Sequence, residues 1–337
     1  MPKHHPNDVI HVVHKDHVDF FVSLFKEIDD NIYTLLRQAQ IPNDINTSQA
    51  DYRFLPETTL KNLMQILASK TSNEDFGVLI WSTCKNVYIP EFVKQLTQCN
   101  TLKEALDEFG SILKTQSTNA NVYTQHAGGK WWLVREKAGA DEIWFKYAEM
   151  FSVVFMCELV KNLTDDQWRP TEIGIQSPES EEFSNLPELK QAIFFTERPV
   201  TALYIPDEIM LAPISLPSIS HKDREQAPNL DFLSSFKLAI KPYLSMGKLP
   251  IKIAAEILNL NVRTIQRRLA REGVTYSDII EEMVLEQMTE LLKCDTLPIT
   301  MIATKMGYSD SAHFTRAFKR LMNMTPREYR KRYSPPN

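Results

Sequence analysis

The 337-residue chain is 43% hydrophobic and 24% charged, proportions of a soluble globular protein of about two domains. Its longest apolar runs, such as MFSVVFMC at 150–157, are too short to span a bilayer, and MPKHHPNDVIHVVHKDH at the start has no signal-peptide core. The sequence therefore predicts a cytoplasmic protein with no membrane partner, its four scattered cysteines (Cys84, Cys99, Cys157, Cys294) reduced. The net charge of −5 hides an asymmetry: residues 231–337 hold 17 Lys+Arg against 11 Asp+Glu, a net +6, which leaves −11 on residues 1–230. A basic part joined to an acidic part predicts that the basic part faces an acidic partner.

Residues 1–19 are polar and carry five of the eight histidines (His4, His5, His11, His14, His17). They read as a flexible, solvated arm, because no scaffold fixes them in a metal-binding geometry. No metal or other cofactor is expected. From about 20 to 215 the signals mix, as in an α+β domain. TTLKNLMQILASKT (58–71) has helical periodicity. TLKEALDEFGSIL (101–113) opens with Thr101 and Glu104 in capping-box spacing. NVYTQHAGGKWWLVREK (121–137) reads as two strands about a Gly128-Gly129 turn, and residues 143–163 as a buried helix, apolar nearly all round. Strand-like runs at 171–177 and 199–206 flank PELKQAIFF (187–195), read as a short helix. Trp131, Trp132, Trp144 and Tyr147, with Arg135, crowd the hairpin and the apolar helix. They are candidates to line an effector cavity, although such aromatics are more often core. Residues 216–230 belong to a stretch rich in Pro, Ser and charge that suits a linker.

Residues 231–337 read as an all-α domain with an internal repeat. PIKIAA at 250–255 recurs as PITMIA at 298–303, and each copy leads through a turn into a basic helix. The two units, 250–272 and 298–322, are helix-turn-helix motifs. In NVRTIQRRLAREG (261–273) Val262, Ile265 and Leu269 form one apolar stripe, while Arg263, Arg267 and Arg271 lie opposite, flanked by Thr264 and Gln266. In the second unit Phe314, Ala317, Phe318 and Leu321 form the stripe, and Ser311, Ala312, Thr315, Arg316, Lys319 and Arg320 face away. Like charges four apart repel on a bare helix. Either the arginine column is a solvated face, or something anionic lies against it. Two matched units inside a +6 segment favour double-stranded DNA, whose major groove admits such a helix and whose guanine edge takes an Arg bidentately. A helix over 275–293, roughly 27 Å long at 1.5 Å per residue, separates the units by close to one turn of groove.

At these residues the chain resembles the AraC/XylS family of bacterial transcription regulators. The signature is MIATKMGYSD, then FTRAFKR, then TPREYR. The resemblance implies DNA-facing roles for Arg263, Gln266, Arg267, Ser311, Ala312, Thr315 and Arg316. Three positions depart from the pattern: Val284 stands where an Arg is usual, Met288 where an Ala is common, and Asn323 where a Gly is common. TLKEAL, RPTEIGIQSPE and FFTERPVTALYIPDEIMLAPIS resemble the arabinose-binding type of N-terminal domain found in ornithine-catabolism-like regulators. That implies an effector-sensing, homodimerising domain, controlled by a small organic molecule that need not be arabinose, and RNA polymerase as a further partner. A domain that senses a protein is the alternative. A repair-type enzyme on the same DNA-binding module needs clustered cysteines, and no phosphate loop, GxSxG elbow or HExxH is present. The chain therefore reads as a regulator and not an enzyme.

Overall fold

The computed structural model describes residues 9–26, 31–45, 47, 50–97, 99–216, 231–246, 249–293 and 297–333. These divide into two units. One takes in residues 13–43 and 59–216; the other takes in residues 9–12, 44–58 and 231–333. The chain opens with strand β1 (Val12–His14), helix α1 (Lys15–Lys26) and α2 (Ile32–Gln38). Strand β2 (Phe54–Pro56) runs into α3 (Glu57–Lys70), and α4 (Asn73–Thr83) passes through a π-helical turn into α5 (Ile89–Val93). Then come α6 (Leu102–Gln116), β3 (Asn121–Ala127), β4 (Lys130–Glu136) and α7 (Ile143–Leu163). The unit closes with β5 (Glu172–Gly174), α8 (Glu181–Ser184), β6 (Ile193–Phe195), β7 (Thr201–Ile205) and α9 (Asp207–Met210).

Its sheet has the order β3-β4-β7-β5-β6, antiparallel except for the β5–β6 pair. The hairpin turns at Gly128 and Gly129, both with positive φ, the conformation a two-residue turn of this hand requires. One face of the sheet packs on helices. Thr201, Leu203 and Ile205 alternate inward along β7 and are fully buried, and Thr201 Oγ1 donates to Glu149 of α7. Helix α6 crosses β3 closely: a Cβ on Gly110 would lie 2.2 Å from the Val122 carbonyl oxygen. Helix α7 is buried nearly throughout, as its all-round apolar sequence predicts. Its three buried charges are all partnered. Glu149 is held by hydrogen bonds, and Glu158 pairs with Lys161 at 3.0 Å. Within α7 only Ile143 and Asn162 are exposed.

Two expectations fail here. Residues 187–195 are not a helix. Glu188 has a φ of 65°, which interrupts a right-handed helix, and Ile193–Phe195 form β6, as a β-branched and aromatic run favours. Of the expected arm, residues 1–8 lie outside the described residues, whereas 9–19 run through β1 into α1. Val18, Phe21, Val22 and Phe25 recur at helical spacing and are buried, which anchors α1.

The second unit contains α10 (Phe232–Ile240), a 3₁₀ turn Lys241–Met246, α11 (Ile251–Ile257), α12 (Val262–Arg271), α13 (Tyr276–Lys293), α14 (Ile299–Lys305), α15 (Ser311–Met322) and α16 (Pro326–Tyr333). Its first core gathers Phe232, Phe236, Ile240, Ile257, Ile265, Leu269 and Ile279, together with Ile10 and Val12 from the chain start. Residues 44–58 belong to this unit, not to the N-terminal one as the sequence suggested. Strand β2 lies against α10, Thr58 Oγ1 donates to the Ile257 carbonyl, and Asp51 approaches Lys241 at 3.7 Å. The expected linker falls almost wholly outside the described residues. Before it, the Ala212 carbonyl accepts from the Leu102 amide, and Ile214 donates to Asn100.

Candidate nucleic-acid interface

Both repeats fold as the sequence predicts, and local chemistry explains where each turn falls. After α11, Asn259 takes a left-handed φ of 50°, and Asn261 caps α12 by accepting from the Thr264 amide at 2.9 Å. After α14, Gly307 (φ 72°) makes the turn and Asp310 caps α15, accepting from the His313 amide at 2.6 Å. That hydrogen bond holds the Asp310 carboxyl below the usual range. Ile265 and Leu269 are completely buried, as are Phe314 and Phe318. This fixes the rotation of each helix and therefore which residues face outward.

On α12, Arg263, Gln266, Arg267 and Arg271 are exposed; on α15, Ala312, Arg316, Lys319 and Arg320 are exposed. Ser311, Thr264 and Thr315 are half-buried. The Thr264 hydroxyl donates to the cap Asn261, and the Thr315 hydroxyl donates back to the Ser311 carbonyl at 2.7 Å. Both hydroxyl protons are thus used internally, leaving a methyl group and a lone pair to offer outward. Arg320 turns toward α13, its guanidinium 3.7 Å from Glu281, an exposed pairing of small worth. Arg268 lies half-buried with its guanidinium 5.1 Å from the Phe232 ring centroid.

Residues 276–293 form the rod between the units. Its Ile279, Ile280 and Met283 enter the first core; Met288 and Leu292 enter the second, with Ile302, Phe314, Phe318 and Tyr329. Val284 packs against both cores. The motif TPREYR acts at the far end. Thr325 and Glu328 cap α16 reciprocally, and Arg330 donates to the Leu292 carbonyl in the last turn of α13 and to the Leu297 carbonyl beyond it. A groove of about 690 Å³ beside the second reading helix is lined by Val284, Tyr308, His313 and Arg316. No local sequence pattern points to it, because its walls come from two helices and a turn.

The aromatic candidates of the N-terminal unit do not share one cavity. Trp131 stands edge-on to His126 beneath Lys103, whereas Trp132 packs beside Tyr204 on the opposite face of the sheet. Buried Trp144 lies under Lys61 and Lys137, buried Arg135 lies over Phe145, and Tyr147 packs on Phe76. Cys84 and Cys157 are buried, which pushes both thiols up and keeps them protonated. Among the described residues no group of three or more His, Cys, Asp or Glu side chains is placed to hold a metal, and no helix is long and apolar enough to cross a membrane.

Comparison with known proteins completes the picture. A helix-turn-helix domain profile matches residues 254–332. The profile described as the arabinose-binding domain of AraC transcription regulators, N-terminal, matches residues 31–214, more than half of the chain. The chain belongs to the AraC family of transcription regulators. It is 38% identical over 76 residues to the HTH-type transcriptional regulator VqsM of Pseudomonas aeruginosa, covering 23% of each chain. It is 37% identical over 87 residues to the HTH-type transcriptional regulator VirS of Mycobacterium tuberculosis, covering 26% of each, and 31% identical over 77 residues to the ornithine utilization regulator of Pseudomonas aeruginosa, covering 23% of each. The matches thus span about a quarter of the length of these curated relatives. Among solved structures it is similar to the transcriptional regulator CdpR of Pseudomonas aeruginosa, at 15% identity over 94% of this chain and 97% of that one, with a TM-score of 0.32.

Within this AraC-family frame the three departures acquire a physical reading. Asn323 ends α15 with a φ of 54°, the left-handed position that favours Gly and that Asn tolerates. Met288 is completely buried in the second core. At position 284 an apolar side chain packs against both cores.

Proposed function

We propose that this chain is a sequence-specific DNA-binding transcription regulator, seating α12 and α15 in successive major-groove segments on one face of the duplex. The observation that carries the reading is the matched pair of helix-turn-helix units: buried stripes orient two helices that each expose arginines, Arg267 and Arg316 at corresponding positions. Arginine in the groove reads guanine bidentately, and the remaining cations neutralise phosphates. Gln266 suits adenine. Arg263, Arg271 and Lys319 serve the backbone, Thr264, Ser311, Ala312 and Thr315 make close van der Waals contact, and Arg320 joins them on leaving Glu281.

The N-terminal unit senses a small organic effector and joins two copies of the chain, and RNA polymerase is the partner at the promoter. The match to the arabinose-binding domain supports the sensing role. The test is selection from random duplexes with the intact protein. A recurrent motif with contacts one helical turn apart, about 10 base pairs, supports the reading. Selection that returns no motif contradicts it.

A further inference from the structure

One end of the five-stranded sheet opens into a cleft of about 770 Å³, within the range of about 300–1,000 Å³ common for small-molecule sites. Its walls come from the end of α6, the start of β3, the end of β4, and the loops after β5 and before β7. The side chains that matter are Lys114, Asn119, Asn121, Glu136, Lys137 and Gln176. Lys114 is exposed and has no ion-pair partner among the described residues. Lys137 donates to the Asn119 carbonyl at 3.4 Å. Glu136 accepts from Asn121 and Tyr123, which hold its carboxyl below the usual range. The charged side chains that line the cleft are two lysines and one glutamate, although residues 1–230 carry −11. Gln176 donates to the Lys137 carbonyl, while its buried Oε1 has no hydrogen-bond partner among the described residues.

The floor of this cleft is built to stay in place. Glu149, fully buried on α7, accepts from the backbone amides of Gln176 and Ser177 and from the hydroxyls of Ser177 and Thr201. A buried carboxylate costs several kcal/mol unless its oxygens are satisfied. Here the donors come from the loop after β5 and from the first residue of β7, so the same bonds that neutralise the cost fix that loop against the strand. None of the aromatic residues singled out from the sequence lines this cleft.

We infer that this cleft is the effector's seat, and that it takes a small polar metabolite bearing a single carboxylate, with Lys114 and Lys137 on the carboxylate. This rests on the effector-sensing reading of the N-terminal unit. Glu136, exposed in the cleft, then accepts from the ligand's own hydroxyl or ammonium donors.

The test uses the full chain and thermal-shift and calorimetric titration. The probes are alanine, serine, lysine, lactate and glycerate, with arabinose as a neutral polar probe and indole as a neutral apolar one. At least one carboxylate is expected to raise the melting temperature. Lys114→Gln and Lys137→Gln are each expected to weaken it about tenfold, the loss of one hydrogen bond to a charged group. Ala138→Phe, at an exposed position on the rim, is expected to block it without altering charge. Carboxylate binding unchanged in all three variants overturns the cleft but leaves the effector reading standing. Binding of arabinose or indole alone overturns the ligand class, again leaving that reading. No shift with any probe overturns both.

Discussion

The Ile10 amide donates to Ser235 Oγ over 3.1 Å, across 225 positions of sequence. Both groups are buried, and Ile10 and Val12 complete the core around Phe232, Phe236 and Ile240. The helix-turn-helix unit therefore includes residues far from its two motifs. A fragment of residues 231–337 should melt well below the same unit in the full chain, because it exposes the surface that Ile10, Val12 and residues 44–58 cover. In the full chain Ser235→Ala leaves the Ile10 amide without its acceptor and should cost about 1–3 kcal/mol. Denaturant unfolding of the variant and melting of the fragment check both statements. A fragment as stable as the parent unit contradicts them.

Gly110 offers a sharper packing test. Its missing Cβ is replaced by the backbone oxygen of Val122, and a backbone cannot rotate aside. Gly110→Ala gains helix propensity of about 1 kcal/mol but forces α6 and β3 apart, so a net destabilisation of about 1–3 kcal/mol is expected by chemical denaturation. A stabilised variant would show that the two elements are not in such close contact.

The fold should also weaken in acid through His17. Its ring Nδ1 meets the Tyr88 hydroxyl and its Nε2 meets Gln116 at 3.0 Å, a pattern that suits the neutral imidazole. Burial, ahead of the nearby His14, lowers its pKa from 6.5 to about 4. Between those values the unfolded chain binds a proton that the folded chain refuses, so stability is lost as pH falls from about 6.5 to 4, by at most about 3 kcal/mol. His17→Gln should flatten that part of the stability profile measured by denaturant titration against pH. An acid limb unchanged in the variant would place the sensitivity elsewhere.

How much of this was legible in sequence depends on distance along the chain. The Gly128-Gly129 hairpin, the Thr101 cap, the all-round apolar α7 and both helix-turn-helix units rest on neighbours within about one turn or one hairpin, and each appears where its residues predict. Helix α1 was hidden because the histidines made its first turn look polar, although Val18, Phe21, Val22 and Phe25 carry a helical period. The attachment of residues 9–12 and 44–58 to α10 was not legible, because no local pattern encodes a partner some two hundred residues away. The cleft was missed for the same reason. Its walls come from four strand ends and one helix, whereas composition drew attention to tryptophans that lie on opposite faces of the sheet.

The rod between the two motifs carries the next prediction. Val284 touches both cores, so Val284→Arg places a charge where an apolar side chain now joins them. Loss of its partly buried apolar contacts should lower the stability of the helix-turn-helix unit by about 1–2 kcal/mol. It should also weaken binding to a two-segment operator more than binding to either half alone. Asn323→Gly, by contrast, relieves a left-handed residue and should be neutral or stabilising by a few tenths of a kcal/mol. Melting curves of the two variants, with affinities for whole and half sites, check these outcomes. Equal losses on whole and half sites for Val284→Arg would show that the rod does not couple the motifs.

The central claim is that two arginines at corresponding positions read bases in successive grooves. The most direct measurement is affinity and footprinting of Arg267→Ala and Arg316→Ala on a selected operator, with Lys319→Ala alongside. Arg267→Ala and Arg316→Ala should each lose about 1–3 kcal/mol of specific affinity and relax base preference at positions about one helical turn apart. Lys319→Ala should weaken all duplexes alike and lower the salt slope by about one. Specific affinity and base preference unchanged in both arginine variants would contradict the account and leave the arginine column a solvated surface.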